Sequence, residues 1–436
     1  MDLPKAFLQR IGEQLGNELP DFLKSFEEEA VRGIRYNPWR GAETWIQDAE
    51  ERVPWMPDAR YLKMGSEAGN SVEHTAGAFY IQDPSAMIAA EVLGAQPGER
   101  VMDLCAAPGG KSTQLGLRMA GRGLLVCNEP VPKRAKVLSG NIERMGIINA
   151  VVTCEEPRKL AERWEGAFDA LLADVPCSGE GMFRRHPETR EEWSAEKAEG
   201  CARRQREILL EAARLVRPGG RMVYSTCTWN PEENERQIEG FLKERPDYRL
   251  RGFTLPGIDG KDGFFLCWPH RIKGEGQFIA LMERDGDGAD RAEMAVCSTQ
   301  LSRMEVQAWK AGQFSLPEPN GKLGEVYYSL AKGLDLRGLR VLRAGLHLGR
   351  IQGKTPVPDH AAAMSIFPPD VPRVTLRAEE ARKYLTGESV EADKDGWVLM
   401  TWKGMPLGWG KGSGGRIRNH LPKGLRNGRL SMEDGT

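Results

Sequence analysis

The sequence predicts an α/β protein, a mostly parallel sheet covered by helices on both faces. A helical N-terminal region precedes it and an α+β region follows. Three observations carry this reading. From residue 99, short apolar segments alternate with helix-length amphipathic ones, as repeated strand–helix units do. The first six of the eight cysteines (Cys105, Cys127, Cys154, Cys177, Cys201 and Cys227) fall 22 to 27 residues apart. That is about one strand–helix unit, so several are expected at equivalent strand ends. The 436 residues allow about three domains at roughly 150 residues each.

In chain order, Leu8, Ile11 and Leu15 fall at helical spacing, and FLKSFEEEAVRGI suits a second helix before NPWRG and VPWMPD break the pattern. Val101 to Leu104 reads as a strand, followed by a Gly-rich turn and a helix from about Lys111. LLVCNE (124–129) and AVVTCEE (150–156) are further strands with helices after them. FDALLADVP (168–176) is apolar enough for a buried strand. A helix over about 201–220 ends at Pro-Gly-Gly, and RMVYSTC (221–227) is the next strand. PEENERQIEGFLKER predicts a helix with Pro in its first turn. FFLCWPHR and QFIALMER then close the sheet as an antiparallel pair, and DGDGAD (285–290) marks an exposed linker. Beyond it, VYYSL and WVLMTW are strand-like.

No apolar run approaches the ~18 residues of a membrane helix, and the N-terminus lacks the pattern of a signal peptide. A cytoplasmic protein is expected. The cysteines form no CxxC pair, which disfavours structural zinc, and neither a metal nor a disulfide framework is expected. Lys and Arg number 61 against 62 Asp and Glu, a net charge of −1 that excludes a uniformly basic chain. The distribution is uneven. Residues 396–430 hold Lys403, Lys411, Arg416, Arg418, Lys423, Arg426 and Arg429 with no acid, interleaved with Trp397, Trp402 and Trp409. Residues 336–354 add Arg337, Arg340, Arg343, Arg350 and Lys354, again without an acid. Basic residues mixed with aromatics can track phosphates and stack on bases.

The turn Asp103-Leu104-Cys105-Ala106-Ala107-Pro108-Gly109-Gly110-Lys111-Ser112 lets a ligand approach the backbone and offers N–H groups at a helix start. Gly110-Lys111-Ser112 fits the end of a phosphate-binding P-loop, but Cys105 replaces its first glycine. Glu129 ends the second strand 19 residues after Gly110, a place suited to ribose hydroxyls. Together these features fit a nucleoside without a diphosphate, such as S-adenosylmethionine. Asp174-Val175-Pro176-Cys177 and Ser225-Thr226-Cys227 end two later strands, where a doubly wound sheet opens its ligand crevice. A thiolate adding to C6 of a pyrimidine makes C5 nucleophilic, and covalent catalysis divides one hard step into two easier ones. Asp174 is placed to hydrogen-bond the ring. The chemistry alone leaves open which thiol attacks. Phe183, Arg184, Arg185 and His186, with His270, Arg271 and Lys273 as a weaker group, are candidates for helping to hold a flipped base.

DLCAAPGGKSTQL, DVPCSGEGMFRRHPE and YSTCTWNPEENE resemble the motifs of the Sun/Fmu family of RNA 5-methylcytosine methyltransferases. The C-terminal stretches GEVYYSLAKGLDLRGLRVLRAGLHLGR and GWVLMTWKGMPLGWGKGSGGRIRNHLPKGLR resemble the RsmF-type branch. The resemblance implies a Rossmann-like methyltransferase domain, S-adenosylmethionine as donor, and cytosine C5 of 16S ribosomal RNA or the small subunit as acceptor. It implies Cys227 as nucleophile, Cys177 in product release, and contacts to donor or base from Cys105 to Lys111, Glu129 and Asp174. Where many members carry an adenine-binding Asp after the third strand, this chain has Thr153-Cys154-Glu155-Glu156, so Glu155 is the expected substitute. Asp83 stands where Glu is more usual. The implied division is an RNA-binding cap at 1–70, a catalytic domain at 71–284, a linker at 285–295, an RsmF-type domain at 296–380 and a PUA-like RNA-binding region at 381–436. The chain is expected to be a monomer. Rival readings are a non-catalytic RNA-binding assembly factor, a P-loop hydrolase, uracil C5 methylation, and methylation of another RNA such as tRNA.

Overall fold

The computed structural model describes residues 3–41, 46–287, 301–310, 316–330, 334–353 and 355–427. Most of the expected linker, together with Lys354 and Arg429, lies outside them. At its centre is a nine-stranded sheet. Its strands are β1 (Arg100–Asp103), β2 (Leu124–Asn128), β3 (Ala150–Thr153), β4 (Phe168–Asp174), β5 (Val216–Thr226), β6 (Tyr248–Leu250), β7 (Phe264–Cys267), β8 (Gln277–Arg284) and β9 (Val341–Ala344). The order is β6-β8-β5-β4-β1-β2-β3-β9, with β7 also on β8. The five strands β3-β2-β1-β4-β5 are parallel, and β7 and β8 form the expected antiparallel pair.

Successive residues of these strands go to opposite faces, and both faces are covered. Val101, Leu125, Val152 and Val223 join one core, while Met102, Val126, Val151 and Met222 join the other. This is why the strands read as continuous apolar runs.

Five features depart from the sequence reading. The helix expected over 201–220 spans Ala195–Leu215, opened by the Ser194 side chain accepting from Lys197 N–H. Its Pro-Gly-Gly lies inside β5, where the register with β4 shifts between Phe168 and Ala170. The helix expected from Pro231 begins at Glu235, because Asn230, Glu233 and Asn234 spend their side chains on the loop before it. The N-terminal helices are Lys5–Leu15 and Leu19–Ser25, shorter than FLKSFEEEAVRGI suggests. Residues 33–82 contribute a four-stranded antiparallel sheet that the Pro- and Trp-rich sequence concealed.

Strand β9 comes from the C-terminal part of the chain and pairs antiparallel with β3, so the central sheet draws on residues from both sides of the expected linker. A four-stranded sheet spans 321–358, and a five-stranded sheet spans 373–419 and includes the predicted WVLMTW strand.

Candidate functional site

The carboxyl ends of β1, β2, β4 and β5 open onto one cavity of about 890 Å³ lined by Cys105, Ala107, Glu129, Asp174, Cys177 and Cys227. On the β1 side, Asp103 is fully buried and accepts from Ser112 Oγ at 2.6 Å. The loop then turns through a cis Ala107–Pro108 bond and Gly109, whose φ of +115° favours glycine, into the helix Gly110–Arg118. Its carbonyls are held from outside: Ala107 O by Arg134 at 3.0 Å, Pro108 O by Asn141 at 2.9 Å and Gly110 O by Arg35 at 2.9 Å. Ala106 is buried, its N–H donating to Asn128 O at 2.8 Å. The P-loop reading fails on geometry. Ser112 is turned onto Asp103, and Lys111 Nζ lies 2.7 Å from Asp174 Oδ2.

Glu129 is buried at the end of β2. It accepts from Val131 N–H at 2.9 Å and lies 3.2 Å from Arg134. Glu155, the expected substitute, is not among the residues lining this cavity. Its carboxylate pairs with Lys159 at 2.8 Å and accepts from Arg340 N–H at 2.6 Å, so it anchors the approach to β9. Glu156 lines the cavity instead.

The two thiols face each other. Cys177 Sγ and Cys227 Sγ are 3.2 Å apart, both partly exposed. The hydrogen bond to Cys227, together with burial, pushes the Cys177 thiol well above the usual range, so it keeps its proton. Burial likewise keeps Cys105 protonated, reinforced by Asp103, Asp174 and Glu129. Burial pulls Lys111 down, but the Asp174 carboxylate more than offsets it and leaves Lys111 raised. Gln277 also reaches Asp174 at 3.3 Å.

Several supporting residues escaped the sequence reading. Glu233 accepts from Ser178 N–H at 2.9 Å and from Gln205 at 2.8 Å, tying the Cys177 loop to the loop after Cys227. Gly181 N–H donates to Cys227 O at 2.9 Å, and a side chain on Gly181 would collide with that same carbonyl. Glu180 is also fully buried here. The available signal was an acid within each cysteine motif, in SGEG and in PEENE.

The expected base-holding cluster is placed otherwise. Phe183 is fully buried among Phe7, Trp229 and Trp268. Arg184 is buried against Glu275 at 2.9 Å and donates to Ser25 O and Gly274 O, while Arg185 donates to Val31 O at 2.5 Å. These arginines join the N-terminal segment to the catalytic domain. Their charge is spent on partners far away in sequence. His270 and Arg271 both engage Glu18 of the N-terminal segment, and Lys273 reaches Glu51.

In the C-terminal region, Lys403 pairs with Glu73 at 3.2 Å, as does the Trp402 indole, so Lys403 joins the last sheet to residues 72–75. Lys411 lies over Trp397, and Lys411, Arg416, Arg418 and Lys423 are all exposed. Among the described residues, two of the five cations in the basic run at 336–354 meet an acid. Arg343 is buried against Glu143, and Arg337 pairs with Asp335 just upstream of the run.

Residues 90–283 match the 16S rRNA methyltransferase RsmB/F family. Residues 3–84, 313–366 and 371–427 match the N-terminal domain, the first C-terminal domain and the PUA domain of RsmF. Ribosomal RNA small subunit methyltransferase F of Aliivibrio fischeri is 32% identical over 98% of both chains. The protein of that name from Escherichia coli strain 55989 is 30% identical over 98% of this chain and 97% of its own. The crystal structure of a methyltransferase homolog protein from Pyrococcus horikoshii is 26% identical, covers 64% of this chain and 95% of that one, and superposes with a TM-score of 0.57. NSun6 from the same organism, 21% identical over 65% of this chain and 99% of that one with a TM-score of 0.57, shares the fold. With its parallel sheet, paired strand-end thiols and four matched regions, the chain belongs to the RsmF family of 16S rRNA methyltransferases.

Proposed function

We propose that the protein transfers a methyl group from S-adenosylmethionine to C5 of cytosine in 16S ribosomal RNA, by way of a Cys227–C6 adduct. The observation that carries this reading is the pair of sulfurs 3.2 Å apart beside the Asp174–Lys111 pair. The cavity suits the donor. Its loop carbonyls are held from outside, and the buried Glu129 carboxylate faces the space a ribose would fill. When bound, S-adenosylmethionine supplies an electrophilic methyl group.

The residues then divide the work. Cys227 thiolate adds to C6, forming an S–C6 bond and placing an electron pair on C5. Asp174, held by Lys111, accepts a hydrogen bond from the pyrimidine edge and supports protonation at N3 as the adduct forms. C5 takes the methyl group as the bond from that carbon to the donor sulfur breaks, and a base from solvent then removes the C5 proton, whose bonding electrons are left on the ring. The ring double bond re-forms as the S–C6 bond breaks, and Cys177, still protonated, assists the departure of Cys227.

The expected order of domains, with residues 1–70 in an RNA-binding cap, is kept in this proposal, but the first sheet runs to Gln82 and the last begins at Arg373, so the boundaries expected at 70 and 380 fall inside those sheets. Among the basic residues, Lys411, Arg416, Arg418 and Lys423 support an RNA-docking role for the last sheet. No helix among the described residues is long and apolar enough to cross a membrane. A cytoplasmic monomer acting on ribosomal RNA is part of the proposal.

Cys227→Ala is expected to abolish methyl transfer and covalent RNA capture, and Cys177→Ala to accumulate an RNA–protein adduct on a denaturing gel. Retained turnover in Cys227→Ala overturns the assignment. Bisulfite sequencing of 16S RNA with and without the gene identifies the target, and a modified tRNA or a methylated uracil in the digest would redirect it.

A further inference from the structure

The N-terminal helix Lys5–Leu15 lies against the loops that carry the two thiols. Glu180, three residues after Cys177, has a fully buried carboxylate. One oxygen accepts from Arg10 of that helix at 2.5 Å and from the Trp193 indole at 3.0 Å. The other accepts from the backbone N–H of Trp229, two residues after Cys227, at 3.2 Å. Gln14, one helical turn on from Arg10, donates to the Trp229 carbonyl at 3.1 Å. The backbone of Trp229 is therefore gripped at both its N–H and its C=O. Its ring cannot drift either, being stacked on Trp268 at 5.8 Å and packed tightly on Gly276.

We propose that Arg10, acting through Glu180, is a positioning residue for the thiol pair. The N-terminal helix sets the spacing between the Cys177 and Cys227 loops, and the site is incomplete without it. This rests on the reading of Cys227 as nucleophile.

Adhesion alone does not call for this arrangement. Phe7, Phe22 and Phe26 already dock the helices in an aromatic cluster with Phe183 and Trp229. A buried ion pair adds little net stability, because desolvation cancels much of its attraction. This one also leaves Arg10 Nη1 buried without a partner. What the pair supplies is direction. A single carboxylate joins the Cys177 loop, the Cys227 loop and the N-terminal helix. The donor-binding loop and Glu129 hang from other strands, β1 and β2, and make no use of it.

The test uses the full chain and four variants: Arg10→Ala, Arg10→Lys, Glu180→Gln and Gln14→Ala. Three quantities are read: the rate of covalent adduct formation with RNA carrying 5-fluorocytosine, the Kd for S-adenosylmethionine, and Tm. Arg10→Ala and Glu180→Gln are expected to slow adduct formation by on the order of tenfold to a hundredfold, as a misplaced reacting group does, with donor Kd unchanged. Arg10→Lys restores part of the rate. Gln14→Ala, which strands no buried charge, slows the adduct severalfold at unchanged Tm. A folded Arg10→Ala with the wild-type adduct rate overturns the proposal. If Arg10→Ala loses donor binding and Tm together, Gln14→Ala decides, and a wild-type rate there overturns it too. Adduct formation by Cys227→Ala would instead overturn the nucleophile assignment.

Discussion

Asp103 and Glu233 show how burial raises carboxylates even where hydrogen bonds oppose it. Burial raises Asp103 to about 7, against the hydrogen bond from Ser112, and its second oxygen has no partner. Burial also raises Glu233, although Ser178 and Gln205 bond to it. Because its folded value lies above the ordinary carboxylate range, folded Asp103 holds a proton that the unfolded chain gives up from about pH 4 upward. Stability from this group is complete below that range and is lost as pH rises toward 7. Asp103→Asn is therefore expected to flatten the fall in Tm over that window, measured by thermal melts across pH, and to gain on the wild type above pH 7. At this scale the sequence was most informative where the chemistry is local. Cys177, Cys227, Asp174 and Glu129 all line one cavity from the motifs that named them, and Lys111 pairs with Asp174 there. The partners of Glu155 and Arg184, Arg340 and Glu275, lie 185 and 91 residues away, so no local motif shows them.

Among the elements, the parallel strands were readable because both their faces are buried, and that writes itself as an apolar run. The N-terminal sheet was not. Its strands have four residues each, too short for alternation to show, and Pro and Trp interrupt the sequence between them. The N-terminal helices read as a cap, yet their apolar stripe meets Trp229 and Trp268 beside the thiols. Phe22 is fully buried there, with ring centroids 5.1 Å from Phe26 and from Trp229. Phe22→Ala is expected to cost about 3–5 kcal/mol, read from urea unfolding, through reduced burial and the cavity left behind.

Over the whole molecule, near-neutral net charge conceals sorting. Acidic residues of the first segment hold the basic groups around the catalytic domain, as Glu18 holds Arg271 and His270, while the last sheet leaves Arg416, Arg418 and Lys423 exposed. Neutralising those three should lower the slope of log K against log salt by roughly 0.7 for each phosphate that no longer meets a cation, measured by RNA binding across a salt series. The same series on Arg184→Ala should show reduced stability with the slope unchanged, since that guanidinium is sealed against Glu275. The pairing of β9 with β3 reaches further than architecture. The strand contributed by residues 341–344 leaves the ribosome long after the edge it covers, at residues 150–153, has been synthesised. Through that interval the growing chain carries a strand with open hydrogen-bonding groups, the kind of edge on which other chains pair and aggregate. Completion of the catalytic sheet is thus a late event in synthesis. A polypeptide released early would hold every cysteine motif and still present a sticky, unfinished border.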